Sequence, residues 1–244
     1  MRCSRWLSTA AAGALLLGLA GSAAGAAAPS RAAGRGYAIS RCGAPRGATY
    51  LTYDDADYSH PGAVLTLAKA ARREHVGLGV FHVASVVRSY LKATGVDIPD
   101  RLRKLGMYVN NHTYDHADLT GLSDGRIDWE IRHGVHGAWL RPPYGAYSSR
   151  VRSRAHALGY RLCTWTFDTG DWKGYSASSI CANVVHNAAK GAVVLMHLNH
   201  SAANPHALRC IVHGLRSRGH HLCRPYTATH RGAATPIRLR ALPC

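Results

Sequence analysis

Five times along this chain a short apolar, aromatic or β-branched run ends in a knot of polar groups capable of chemistry. The first of these constrains the fold most. Ala48-Thr49-Tyr50-Leu51-Thr52-Tyr53 has the composition of a strand, and two adjacent carboxylates, Asp54 and Asp55, emerge at its C-terminal end. Neighbouring residues on a strand point to opposite sides, and like charges this close resist being ionised together. The pair makes sense if a cation neutralises one aspartate while a different partner holds the other.

Further strands are expected at 78–83, 107–109, 138–140, 160–167, 192–196 and 220–223. Helices fill the intervals. The first opens at Pro61, shows an apolar face of Val64, Leu65, Leu67, Ala68 and Ala71, and ends at Gly77. Others are expected around 86–92, after Pro99, from Ser123 through Ile131, from a Ser148 or Ser149 cap to Gly159, at 176–189 and at 205–218. Strands alternating with helices argue for an α/β class with parallel strands. Polar segments that each follow a strand are where a β/α barrel carries its active site.

Residues 1–28 read as a secretory signal peptide. Arg2 and Arg5 precede an apolar run from Ala10 to Ala20, and Ala24-Gly25-Ala26 offers a cleavage site. The run is too short and too rich in Ala and Gly for a membrane span. The expectation is a monomer without stable membrane insertion, secreted or cell-wall associated after cleavage. Residues 29–41 read as a flexible leader, 42–226 as a single catalytic domain and 227–244 as an irregular tail open to tethering by a disulfide. Without the signal about 215 of the 244 residues remain, which suits one α/β barrel domain.

Beyond Cys3 lie Cys42, Cys163, Cys181, Cys210, Cys223 and Cys244, an even set that indicates disulfides in an exported chain, with the pairing open. No Cys-x-x-Cys spacing supports a cysteine zinc site. The net charge of +17 favours anionic polymers. With export, an anionic cell-wall glycopolymer fits better than nucleic acid, for which no recognisable module is present.

His112-x-x-x-His116 sets two imidazoles at i, i+4, expected on one face of a helical turn. With Asp55 they make two nitrogens and one carboxylate oxygen, a catalytic zinc set with a position left for water or substrate.

Taken in order, Thr52-Tyr53-Asp54-Asp55, His112-Thr113-Tyr114-Asp115-His116, Arg141-Pro142-Pro143-Tyr144-Gly145, Asp168-Thr169-Gly170-Asp171-Trp172 and Leu195-Met196-His197 resemble the five ordered motifs of the polysaccharide deacetylases. This is the NodB homology domain, carbohydrate esterase family 4, and the resemblance runs from about Thr49 to Tyr226. It implies a TIM-like (β/α)7-8 barrel, distorted or incomplete because Ile131 to Leu140 leaves little room for a helix before the next strand. The groove is expected to be wider on that side.

The resemblance further implies that Asp55, His112 and His116 bind a divalent metal, zinc first, with cobalt, nickel or manganese as alternatives. Asp54 would be the general base, with Arg141 paired to it. His197 would be the general acid, held by Asp171, which raises its pKa. Tyr144 would offer a backbone N–H to the oxyanion, and Trp172 and Leu195 would wall the acetyl pocket. The chemistry agrees, since amide hydrolysis needs an activated water, a stabilised oxyanion and a proton for a poor leaving group.

One departure stands out. Ala56-Asp57 follows the Asp pair where the family has Gly-Pro, so this loop must run differently, and Asp57 is expected to add negative charge near the metal. The implied activity is hydrolysis of the N-acetyl group of amino-sugar glycans of the peptidoglycan or chitin type. Alternatives are O-deacetylation of acetylated xylan, and a catalytically silent protein that holds an anionic wall glycan. The remaining histidines, His82 among them, read as ordinary core or surface residues, with His200, in the loop after His197, as the first exception.

Overall fold

The computed structural model describes residues 38–226 together with Leu242 and Cys244. The expected signal segment, most of the leader and nearly all of the tail lie outside the described residues. Among the described residues there are eight strands: β1 (Ala48–Asp55), β2 (Gly79–His82), β3 (Tyr108–Asn111), β4 (Trp139–Leu140), β5 (Arg161–Leu162), β6 (Phe167–Asp168), β7 (Val193–His197) and β8 (His221–Leu222). Seven α-helices alternate with them: α1 (Ala63–Arg73), α2 (Ala84–Thr94), α3 (Ile98–Lys104), α4 (Asp124–His133), α5 (Ser149–Ala157), α6 (Ala177–Asn187) and α7 (Pro205–Ser217).

Seven strands follow the order β5-β4-β3-β2-β1-β7-β6, parallel throughout, and curl into a half-barrel. β8 pairs with Ala48 and Thr49 at the start of β1. Every residue of β1 is buried, as a central strand covered on both faces requires. Its alternation sorts the core. Leu51 and Tyr53 pack towards Leu67, Ala71, Ile180, Leu208 and Ile211 of the helices. Tyr50 points into the barrel with Phe81, Tyr108, Trp139 and Val193. Leu208, Ile211, Val212 and Leu215 form the buried stripe of α7, each worth about 1.5–3 kcal/mol by removal from water.

Serine side chains cap three helices as their positions indicate. Ser123 accepts from Arg126 N–H, Ser148 from Val151 N–H and Ser176 from Ser179 N–H. The first helix starts later than expected. Ala63 N–H bonds the His60 carbonyl, so Pro61 and Gly62 are the corners of a preceding turn.

Between α4, which ends at His133, and β4, which starts at Trp139, no further helix intervenes, as the short stretch from Ile131 to Leu140 indicated. One larger expectation is corrected. The crossover without a helix is the one from β5 to β6. Residues 160–167, expected as one strand, are split between opposite edges of the sheet. Cys163 N–H bonds Leu140 on the β4 side, Thr164 N–H bonds Ile39, and Thr166 N–H bonds Val193 on the β7 side. The backbone groups of this segment are satisfied by different neighbours at its two ends, and it bridges the mouth of the half-barrel.

Disulfides join Cys42 to Cys163, Cys181 to Cys210 and Cys223 to Cys244. The first fastens the 3-10 turn Ile39–Arg41 and its neighbours to that bridging segment. The second staples α6 to α7, and the third tethers the chain end. Among the described residues no helix is long and apolar enough to cross a membrane.

Candidate active site

The five polar segments meet at the C-terminal ends of the strands. Asp54 closes the inward-facing row of β1 and is only 3 % exposed. Its Oδ1 accepts from Arg141 Nη1 at 2.7 Å. Arg141, just past β4, is fully buried, and both terminal nitrogens of its guanidinium are held, while Nε has no partner. Nη1 also donates to Thr52 Oγ1 (2.8 Å), Nη2 donates to the Thr164 carbonyl (2.9 Å), and the Phe81 ring lies 4.1 Å from Cζ.

Strand alternation alone would send Asp55 away from Asp54. Asp55 instead takes a left-handed backbone (φ 69°), a conformation Asp tolerates better than most residues. Its carboxylate therefore turns back to the same side. Oδ1 sits 3.3 Å from His112 Nε2 and 3.2 Å from His116 Nε2, while Asp54 Oδ2 is 3.8 Å from His112 Nε2. Burial would raise the Asp55 pKa, but the two imidazoles outweigh it and hold the carboxyl well below the usual range. For His112, burial opposes the charge and the Asp54 and Asp55 carboxylates favour it, with a net upward shift.

The histidine pair does not sit on a helical turn, as the spacing suggested. Residues 112–116 form a loop beyond β3, with Thr113 (φ 67°) and His116 (φ 62°) both left-handed. Side chains replace the missing helical hydrogen bonds. Asn111 Oδ1 accepts from Thr113 N–H, Thr113 Oγ1 from His116 N–H, and Glu130 Oε2 from Tyr114 and Asp115 N–H. Glu130 is completely buried and is tied to Arg126 at 2.7 Å. Its role was missed in the sequence, although an acid on the Ile127–Ile131 stripe of α4 is a usable signal. Asn111 was missed as well.

These residues fit a divalent cation. The three donor atoms of Asp55, His112 and His116 lie within 4.8 Å of one another. Asp55 Oδ1 is buried without a hydrogen-bond partner. His112 Nδ1 lies 2.7 Å from the Arg141 carbonyl and donates to it, which leaves Nε2, 3.3 Å from Asp55 Oδ1, as the ring atom that could ligate a cation. Asp57 is not part of the cluster. Its Oδ1 accepts from Ser59 and His60 N–H, so the charge expected near the metal folds its own loop instead.

On the opposite flank His197 ends β7 beside Asp54, its register partner on β1. Asp171, in the 3-10 turn after β6, accepts from His197 Nδ1 at 2.8 Å and from His197 N–H at 2.8 Å. Burial depresses the His197 pKa, but the bond to Asp171 and the charges of Asp54, Asp171 and Asp55 more than offset it, and the net shift is upward. Leu195 lies on the same face of β7 as His197. Trp172 follows Asp171 and is half exposed. Tyr144 is left-handed (φ 60°) and exposed, its ring 4.7 Å from that of His116. Gly145 beneath it is required, because a Cβ there would come within 2.6 Å of the Trp165 ring.

Known proteins resemble this chain in sequence and in fold. The family model described as polysaccharide deacetylase matches residues 43–163. A peptidoglycan-N-acetylglucosamine deacetylase of Bacillus cereus is 30 % identical over 135 residues, covering 50 % of this chain and 49 % of that protein. The chain thus spans about half the length of that curated relative, and less of several others. A family 4 carbohydrate esterase from Streptomyces lividans, solved with acetate, superposes with a TM-score of 0.62 at 26 % identity, over 79 % of this chain and 100 % of that one. The same fold, at 22 % identity and a TM-score of 0.62 over 72 % of this chain and 63 % of that one, is found in a family 4 pseudoenzyme from Bacillus anthracis. With a half-barrel, an Asp-His-His cluster at its strand ends and these matches, the chain belongs to the polysaccharide deacetylase family.

Proposed function

We propose that this chain is an exported, metal-dependent N-deacetylase of amino-sugar glycans, of the peptidoglycan or chitin type. One observation carries the reading. The Asp55-His112-His116 cluster is flanked on one side by a carboxylate clamped by arginine and on the other by an imidazole clamped by carboxylate. A divalent cation held by the three ligands, zinc first, would supply Lewis acidity to the attacking water and the acetyl carbonyl.

Asp54, kept acceptor-side towards the site by Arg141, takes the proton of that water as the C–O bond forms. The Tyr144 N–H, turned by its left-handed backbone, donates to the developing oxyanion. His197, protonated through its bond to Asp171, donates from Nε2 to the departing nitrogen as the C–N bond breaks. The products are acetate and a free amine. Leu195 and Trp172 wall the space for the acetyl methyl. A base and an acid with opposite partners around one centre is the division of labour that amide hydrolysis demands.

Three disulfides support an oxidising compartment, hence export. The charge of +17 supports an anionic wall polymer as the setting. The test is acetate release, with added Zn²⁺, from chitin oligomers, peptidoglycan and acetylxylan. Release from the first two supports the proposal, and release from acetylxylan alone would reassign it to ester cleavage. Silence on all three with metal bound would favour a second reading, a wall-binding protein without turnover, as the pseudoenzyme fold allows.

A further inference from the structure

Behind the metal cluster stands a side chain that the proposed reaction does not use. His82 ends β2, directly opposite Asp55 in the β1–β2 register, and is completely buried. Its Nδ1 lies 3.1 Å from the Asp55 carbonyl oxygen. A carbonyl only accepts, so Nδ1 carries the proton and donates. Nε2 is then a bare acceptor, and it is buried with no hydrogen-bond partner. A buried ring nitrogen without a partner is a stability cost that a phenylalanine of similar shape would avoid.

The benefit that offsets this cost lies in the Asp55 backbone. Asp55 is left-handed, and that single torsion turns its carboxylate out of strand alternation and onto His112 and His116. A residue in that region persists only when its surroundings hold it there. The His82 N–H grips the Asp55 carbonyl on one side, and the His82 carbonyl accepts from His112 N–H at 3.2 Å on the other. One residue thus ties together the two chain segments that carry the buried ligands.

We propose that His82 is a positioning residue of the metal site, whose Nδ1–H, donated to the Asp55 carbonyl, holds the Asp55 carboxylate in its ligating orientation. The inference rests on the reading that Asp55, His112 and His116 hold a divalent cation. It predicts that the site's affinity depends on a donor at the Nδ1 position and not on the ring.

Three variants of the disulfide-bonded protein separate these. His82→Phe keeps the volume and removes the donor. His82→Asn presents an amide N–H near the Nδ1 position, and His82→Gln presents one near Nε2. Zn²⁺ affinity is measured by competition with a chromophoric chelator, and ligand geometry by the visible absorption of the Co²⁺-loaded protein. Far-UV circular dichroism in EDTA checks folding. His82→Phe should bind Zn²⁺ about 10–100-fold more weakly, the usual effect of losing an outer partner of a metal ligand, with an altered Co²⁺ spectrum. His82→Asn should restore both, and His82→Gln should not. Should His82→Phe fail to fold, the Asn and Gln variants decide by themselves. Wild-type affinity in folded His82→Phe, or equal weakening in Asn and Gln, would overturn this inference alone. No Zn²⁺ bound by the unsubstituted protein would overturn both it and the functional proposal.

Discussion

Replacing Arg141 with methionine tests the heart of the site through stability, without a substrate. Arg141 is fully buried and Asp54 nearly so, 2.7 Å apart. At an effective dielectric near 20 their attraction is about 6 kcal/mol, much of it offset by the desolvation of both ions. Methionine retains most of the packing against Phe81 but abandons the carboxylate, the Thr52 hydroxyl and the Thr164 carbonyl. Breaking a buried pair on one side costs about 3–5 kcal/mol, because the remaining charge stays buried and uncompensated. The double variant Arg141→Met, Asp54→Asn removes that charge and should recover more than half of the loss. Urea denaturation with disulfides intact and EDTA present reads all four corners of the cycle. A loss under about 1 kcal/mol, the value of a surface ion pair, would refute the reasoning. So would a double variant no more stable than Arg141→Met.

Asp54→Asn should lower kcat by about 10²–10⁴-fold, the range for a general base, with Zn²⁺ affinity retained. Asp55→Asn should weaken Zn²⁺ itself, and equal metal binding in the two variants would undo the assignment. Asp171 holds the His197 pKa above its ordinary value against the pull of burial, so the acid form is lost, and activity with it, as pH rises through that raised value. Asp171→Asn should shift the alkaline limb of kcat to lower pH, and an unmoved limb in an active variant would count against His197 as the acid. Removing the Cys42–Cys163 bridge, whose ends are 121 positions apart in sequence, should destabilise by about 5 kcal/mol on the chain-entropy account. Arg141 Nη2 lies 3.3 Å from Cys163 Sγ, so this loss should also depress kcat. Removing Cys181–Cys210 should cost stability alone, and equal kcat effects in the two would sever the bridge from the site.

The elements that sequence located best are those whose signals are local. β1 was legible because a strand buried on both faces must be apolar and β-branched along its whole length. The starts of α4, α5 and α6 were legible because a serine oxygen answers an amide three residues on. The side chains named for the site come together for a similar reason. Each follows a parallel strand, and parallel strands in one sheet end on one face.

What escaped was non-local. Residues 160–167 have the composition of one strand, yet their amides find partners on two different edges of the sheet, and partners are set by the fold. The spacing of His112 and His116 matches a helical turn. A carboxylate from α4 and the Asn111 amide hold that loop in another shape with the same convergence.

Sequence by itself determined which polar groups follow each apolar run and at which strand ends they emerge, because composition and period act over a few residues. Tertiary structure decided how they meet. The pairing of six cysteines, the clamp of Arg141 on Asp54 and the left-handed turn at Asp55 with His82 behind it each depend on atoms far apart in the chain. Asp54 and Asp55 face one centre only because a carbonyl held from a neighbouring strand overrides the alternation their adjacency dictates.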